Sequence, residues 1–227
     1  MARTRDPQAH ALRRDAFVEA AQRLMQARGF EQMSIQDVLD EVGSSRGAFY
    51  HYFDSKSALL EAVVERMVDV ITEAVEPVVT DPDLPAPQKL QRVFTDISDW
   101  KMDRKDLLEA FMAAWLSDEN ALVRERFRRH TAVRLTPLLA RILRQGKAEG
   151  TLSVGSPDHT AVVFVSLVLG ANELASQLLV ARRAGSVTFE DVERTFAAVI
   201  EAFERLVGLP AGSWPLPDPA IISYWFA

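Results

Sequence analysis

The chain has 227 residues, 48% of them hydrophobic, which is enough to bury a sizeable core in one large domain or two small ones. It contains no cysteine, so a disulfide framework and a thiolate metal site are excluded, as suits the cytosol. The net charge of −6 is unevenly spread: residues 1–56 hold eight Lys or Arg against eight Asp or Glu, and the remainder holds 18 against 24. A polyanion responds to the local face, so the neutral first part does not exclude nucleic acid, and the acidic remainder predicts modest non-specific affinity.

Arg3 and Arg5 ahead of Pro7 form a short basic arm of the kind that can reach into a minor groove. A first helix is predicted from Gln8 to Arg28, burying Phe17, Ala20, Ala21, Leu24 and Met25, with Gly29 at its end and Phe30 folding back. In a second helix Ile35, Val38, Leu39 and Val42 fall at i, i+3, i+4 and i+7, the spacing of one buried face. Ser34 caps it, with Asp37 three residues on in a capping-box arrangement. Gly43 stops it, because glycine takes the left-handed conformation without a Cβ penalty. Ser44 or Ser45 caps a third helix with Phe49 and Phe53 inward, which turns Arg46, Ala48, Tyr50 and His51 outward. Two short helices joined by a glycine turn form the helix-turn-helix that lays its second helix in a major groove. An arginine there offers the planar fork that pairs with guanine O6 and N7. Lys56, in the first turn of the next helix, opposes that helix's dipole until a phosphate faces it.

The stretch Phe17–Leu60 resembles the DNA-binding domain of TetR-family regulators, with Ala-Arg-Gly-Phe, Ser-Ile-Gln-Asp-Val and Val-Gly-Ser-Ser-Arg-Gly-Ala-Phe-Tyr-His-Tyr-Phe-Asp-Ser-Lys in order. The likeness covers about the first quarter of the chain. Two residues depart from the pattern: Ser44 stands where valine is frequent, and Tyr52 where histidine is frequent. Tyr52 can still donate to a phosphate. The resemblance implies that Ser34 and Gln36 touch phosphate or a flanking base. It further implies that Ser45, Arg46, Gly47, Ala48 and His51 face base edges, while Tyr50, Tyr52 and Lys56 hold the DNA backbone.

Ser55 caps a fourth helix over about Lys56–Val79, and three prolines between Thr80 and Pro87 break the chain. Helices follow over about Gln88–Met102, Asp106–Ser117 and Ala121–Glu149, with Pro137 expected to kink the last or restart it from a Thr136 cap. Two more are predicted over Asp158–Arg183 and Phe189–Val207. No period-2 alternation is long enough for a sheet, so the fold is all-α. It divides into a three-helix DNA-binding domain (1–55), a helical ligand-binding and dimerisation domain (56–208) and an apolar tail (209–227).

The run Ala161–Ala171 is apolar on all sides and must be covered on all sides. It extends about eleven residues, short of the roughly twenty of a bilayer span, and residues 1–20 carry no secretory pattern, so a soluble, cytoplasmic protein without a membrane partner is expected. Val192, Phe196, Val199, Ile200, Phe203 and Val207 give the last helix a wide apolar stripe. The small residues Gly170, Ala171, Ala175, Ala197 and Ala198 permit close approach, so these two helices are expected to build a homodimer, as the resemblance also implies. The tail sequence Ile221-Ile222-Ser223-Tyr224-Trp225-Phe226 is too apolar for water and should pack on its own chain or on the mate.

The resemblance also implies a small-molecule effector within the second domain. Phe94, Trp100, Met102, Phe111, Met112, Trp115, Phe164, Asn172, Glu173 and Gln177 are the large or polar residues of the buried helices. Aromatic and methionine side chains suit a largely apolar ligand, although the same residues serve equally as plain core. No cofactor or metal is expected. His10, His51, His130 and His159 lack metal-ligand spacing, and no phosphate loop or G-x-S-x-G motif is present, so the inventory excludes the common enzyme classes. Arg124, Arg126, Arg128 and Arg129, with Glu125 among them, read as a solvated helix face, the alternative being an anionic ligand or an interdomain contact. The expectation is a dimeric, ligand-responsive transcriptional repressor on a palindromic operator in double-stranded DNA. An activator or a ligand-dependent repressor would use the same fold. A helical ligand-binding or scaffold protein without DNA binding is the rival class, and Arg46, Tyr50 and Lys56 argue against it.

Overall fold

The computed structural model describes residues 7–215 and 219–226, so the Arg3 and Arg5 arm lies outside the described residues. Among these, every regular element is helical: α1 (Pro7–Arg28), α2 (Ile35–Val42), α3 (Arg46–Tyr52), α4 (Lys56–Thr80), α5 (Ala86–Met102), α6 (Lys105–Leu116), α7 (Ala121–Glu149), α8 (Pro157–Arg183), α9 (Phe189–Val207) and α10 (Pro219–Phe226), with a 3₁₀ turn at Asp118–Asn120. Contacts divide the chain into two compact units. One comprises the residues up to Ala74 with Ile97–Thr131, the other Val75–Asp96 with Ala132 onward.

In the first unit α1, α2, α3 and the start of α4 close on Phe17, Met25, Met33, Val38, Phe49 and Leu59, all at or near zero exposure. Leu107, Phe111 and Val123 from α6 and α7 extend the same core. Burying each such side chain contributes about 1.5–3 kcal/mol. Arg124 donates to the carbonyls of Trp115 and Ser117, closing the exposed end of α6, and Arg126 pairs with Glu61 of α4. Arg129 pairs with Glu125 at 3.6 Å on the helix surface. The arginine cluster is therefore only partly a solvated face: two of its members fasten neighbouring elements.

In the second unit Phe164 of α8 stacks on Phe203 of α9, with ring centroids 4.9 Å apart. Phe94 of α5 and Trp214 beyond α9 complete an aromatic cluster. Glu204 is buried, and its carboxylate accepts from the backbone N–H of Gly212 (3.0 Å) and Trp214 (2.7 Å), which satisfies the charge and ties the chain after α9 back onto it. Lys89 is buried likewise. Its ammonium donates to the Val79 carbonyl and the Gln145 side chain, and burial pulls it below the usual lysine range.

The restart expected at Pro137 does not occur, while the tail packs on its own chain, one of the two places expected for it. Helix α7 runs unbroken through Pro137, with no restart at Thr136. Pro137 sits on the exposed side together with Val133, whose carbonyl loses its helical donor where solvent can replace it. The tail forms a helix, α10, with Ile222 and Phe226 buried and Phe226 set against Phe196 of α9 at 5.7 Å. Among the described residues of one chain, helix α8 is covered on one side. Ala161, Phe164, Val165, Leu169 and Leu179 are buried, whereas Val162, Val163, Leu167, Leu174 and Val180 are exposed. At 27 residues, α8 is also long and apolar enough by length and composition to cross a bilayer, which the eleven-residue run alone did not suggest.

Candidate functional site

The geometry of α2 and α3 is set by local chemistry. The Ser34 side chain accepts from the Asp37 N–H at 3.1 Å, and the Asp37 carboxylate accepts from the Ser34 N–H and hydroxyl at 2.8 and 2.7 Å. Arg28 adds an ion pair to the same carboxylate at 2.9 Å. Gly43 ends α2 at φ +62°, and the Ser44 N–H returns to the Leu39 carbonyl. The second serine, Ser45, caps α3 by accepting from the Ala48 N–H at 3.2 Å. Phe49 then packs edge-on against Phe17, with centroids 5.7 Å apart, and Phe53 closes the far end.

These contacts decide what α3 presents. Ser45, Arg46, Gly47, Tyr50 and His51 are exposed, and Ala48 and Tyr52 are half-buried. Ser34 and Gln36 are exposed at the start of α2, where Gln36 donates to Asp40 at 2.8 Å. Lys56 is half-buried, its ammonium 4.2 Å from the Phe30 ring centroid and donating to the Glu31 carbonyl at 3.3 Å. Desolvation pulls it below the usual lysine range, against the attraction of Glu31. The ring and the carbonyl offset the unfavourable helix dipole that the sequence places there. Tyr52 lies against the rings of Phe17 and His10, and the latter contact was not legible in the sequence.

Asp37 makes the α2 start acid-sensitive in a defined direction. Hydrogen bonds from Ser34 hold its carboxyl below the ordinary aspartate value, with Arg28 adding to the effect. A carboxyl depressed in the folded state stabilises above its unfolded value, and that contribution is lost as pH falls through the folded value. Thermal melts across about pH 3–6 should therefore fall less steeply with acid for Asp37→Asn than for the wild type. Parallel curves would remove Asp37 from the acid response.

The ten effector candidates fall in both units. In the first, Phe111 belongs to the buried core and Trp115 sits edge-on to Phe127 at 5.0 Å. Trp100 lies under the Arg104 guanidinium, and its indole N–H is buried without a hydrogen-bond partner among the described residues. Met102 and Met112 are half-buried. In the second, Phe94 and Phe164 sit in the aromatic cluster, Asn172 and Glu173 are half-buried, and exposed Gln177 donates to Glu173 at 3.1 Å. An open cavity of about 610 Å³ in the second unit is lined by Asp81, Gln88, Gln91 and Arg92 among others, and by none of the ten candidates. Among the described residues no group of His, Asp and Glu could hold a metal ion.

Residues 17–63 match the family described as bacterial regulatory proteins, tetR family. The HTH-type transcriptional repressor AcnR of Corynebacterium diphtheriae is 29% identical over 127 residues, covering 53% of this chain and 66% of AcnR. The HTH-type transcriptional regulator EthR of Mycolicibacterium smegmatis is 35% identical over 74 residues, covering 31% of this chain and 34% of EthR. The aligned part thus spans less than two thirds of these relatives' lengths. The solved structure of RolR in complex with resorcinol is similar over 94% of this chain and 99% of RolR, with a TM-score of 0.62 at 21% identity. That of Escherichia coli NemR in its reduced form covers 88% of this chain and 100% of NemR, with a TM-score of 0.53 at 22% identity. Likeness at that identity concerns the fold.

Proposed function

Because this chain belongs to the tetR family of bacterial regulatory proteins, we propose that it is a cytoplasmic DNA-binding transcriptional repressor, acting as a homodimer on a palindromic operator and released by a small molecule. The observation that carries the reading is the outer face of α3. Arg46, Gly47, Tyr50 and His51 stand exposed on a seven-residue helix whose other side is fixed by Phe49. That is the arrangement a recognition helix needs: a rigid inner face and a donor-rich outer one. Ser34, Gln36, Ser45, Ala48, Tyr52 and Lys56 flank it and supply phosphate and base-edge contacts.

The repressor sense is supported by names such as AcnR among the relatives. The exposed apolar side of α8, with Val162, Val163, Leu167, Leu174 and Val180, suits burial against a second copy. The two recognition helices of such a dimer would lie about 34–36 Å apart, one turn of DNA. An effector with higher affinity for a different spacing would release the operator. RolR holds resorcinol, a small aromatic diol, and a small, largely apolar effector is the corresponding proposal here. The indole N–H of Trp100 can only donate, so an effector meeting it needs a hydrogen-bond acceptor.

Fluorescence anisotropy on labelled DNA from upstream of the coding region, followed by selection from random duplexes, tests the reading. Saturable, salt-sensitive binding that survives competitor DNA supports it. Absence of binding in both experiments would leave the scaffold alternative. On a selected duplex, Arg46→Ala should weaken binding by about 1–3 kcal/mol and relax preference at one base position, while the melting temperature stays within error. Unchanged affinity would take Arg46 off the base-reading face.

A further inference from the structure

We infer that Arg13 of α1 is a further DNA-contact residue, one that binds the phosphate backbone, and that Ser44, in the turn between α2 and α3, positions it for that contact. The inference rests on the DNA-binding reading above and adds to it a residue from outside α2, α3 and α4. Arg13 is exposed, and one of its terminal nitrogens donates to Ser44 Oγ at 3.4 Å. Ser44 lies two residues before Arg46, so their Cα atoms are at most about 7.6 Å apart. The Arg13 guanidinium is thereby tied to the turn that leads into the exposed face of α3.

The arginines of α1 are engaged in different ways. Arg23 pairs with Glu41 at 2.7 Å and with Glu19 at 3.1 Å, and Arg28 pairs with Asp37 at 2.9 Å. The Arg14 guanidinium lies 5.3 Å from the Phe53 ring centroid. Among the described residues Arg13 meets a neutral hydroxyl and no carboxylate. The positions three and four away on α1 are Ala9, His10, Ala16 and Phe17, so no acid there is spaced to pair with it. The acids of α2 are engaged elsewhere: Glu41 with Arg23, Asp37 with Ser34 and Arg28, and Asp40 with Gln36. Arg13 therefore brings an uncompensated positive charge to the start of the recognition helix.

A guanidinium carries five N–H donors in a fork that matches phosphate oxygens. Ser44 takes one of them, at a length that guides the side chain rather than clamping it. An exposed contact of this kind contributes little to the stability of the free protein. It does narrow the positions that a long side chain explores, so less freedom is lost when a phosphate arrives. Valine, frequent at position 44 in the pattern the chain otherwise follows, has no acceptor and cannot do this. A phosphate contact positions the protein without reading sequence, so Arg13 should strengthen binding to every duplex alike, unlike Arg46.

The test uses the full chain, a duplex recovered by random-sequence selection and an unrelated duplex, with affinities measured between about 50 and 200 mM salt. Losing one phosphate contact flattens the slope of log affinity against log salt by about 0.9 for each protomer bound. Arg13→Gln should therefore weaken binding to both duplexes by the same factor, about tenfold at the low salt and about threefold at the high salt per protomer. Its melting temperature should stay within error, as for other exposed side chains. Arg13→Lys keeps the charge and should keep the slope. Ser44→Val should also keep the slope, weaken binding less than Arg13→Gln does, and add nothing in the Arg13→Gln background. A slope unchanged by Arg13→Gln is what a purely structural arginine would give, and it overturns the proposal. So does a loss confined to the selected duplex, and additive losses from the two substitutions overturn the role given to Ser44. Failure to recover any duplex would instead sink the DNA-binding reading, and this inference with it.

Discussion

Replacing Phe49 by alanine is expected to lower stability by about 3–5 kcal/mol, the usual cost of deleting a buried phenyl ring. Phe49 is fully buried, and its ring meets Phe17 at 5.7 Å, Tyr50 at 5.4 Å and Phe53 at 5.6 Å. Nothing nearby can easily fill the space, because Phe17, Met25 and Leu59 are themselves fixed by burial. Against a total stability of about 5–15 kcal/mol for an ordinary domain, the loss is a large share. Urea melts followed by far-UV circular dichroism measure it directly. The variant should lose DNA affinity in proportion to its unfolded fraction, whereas Arg46→Ala should lose affinity without losing stability. A cost under about 1 kcal/mol for Phe49→Ala would mean that α3 is held by something other than this ring.

That contrast also marks what could be read before the fold was known. The capping box of Ser34 and Asp37, the left-handed Gly43 and the inward Phe49 are local devices, each specified by residues within four positions of one another. Such devices act before tertiary contacts form, so spacing alone reveals them. The outward face of α3 followed directly from them.

Long-range pairings left no such trace. His10 reaches His51 and Tyr52 across about forty positions, and nothing in the periodicity of α1 distinguishes His10 from any exposed polar residue. Lys89 reads as a surface lysine, yet its ammonium spans from the Val79 carbonyl to Gln145. Glu204 reads as the polar side of α9, yet it is buried because the chain at Gly212 and Trp214 returns to supply two N–H groups. Helix α10 is different, since Pro219 at its first position was an available start signal. The proline-rich stretch before it obscured that signal. The side of α8 left uncovered in one chain depends on what packs against it, which an all-round apolar composition does not encode.

The second large effect should appear at Gly208, where Gly208→Ala is expected to cost about 2–5 kcal/mol. Gly208 ends α9 at φ +72°, a backbone region that disfavours any Cβ. A Cβ added there would also stand 2.4 Å from Ser153 Cβ and 3.1 Å from the Ser153 backbone. Ser153 cannot retreat freely, because its N–H donates to the Val207 carbonyl at 2.9 Å. Gly150 provides the control. It has nearly the same φ, +71°, but nothing within 4 Å of an added Cβ. Gly150→Ala should therefore carry only the conformational cost, about 1–2 kcal/mol. The difference between the two variants isolates the close approach of the α9 end to residue 153, independently of the left-handed backbone common to both. Equal losses in denaturant melts would mean that Ser153 moves aside at little cost, and that the contact is not tight in solution.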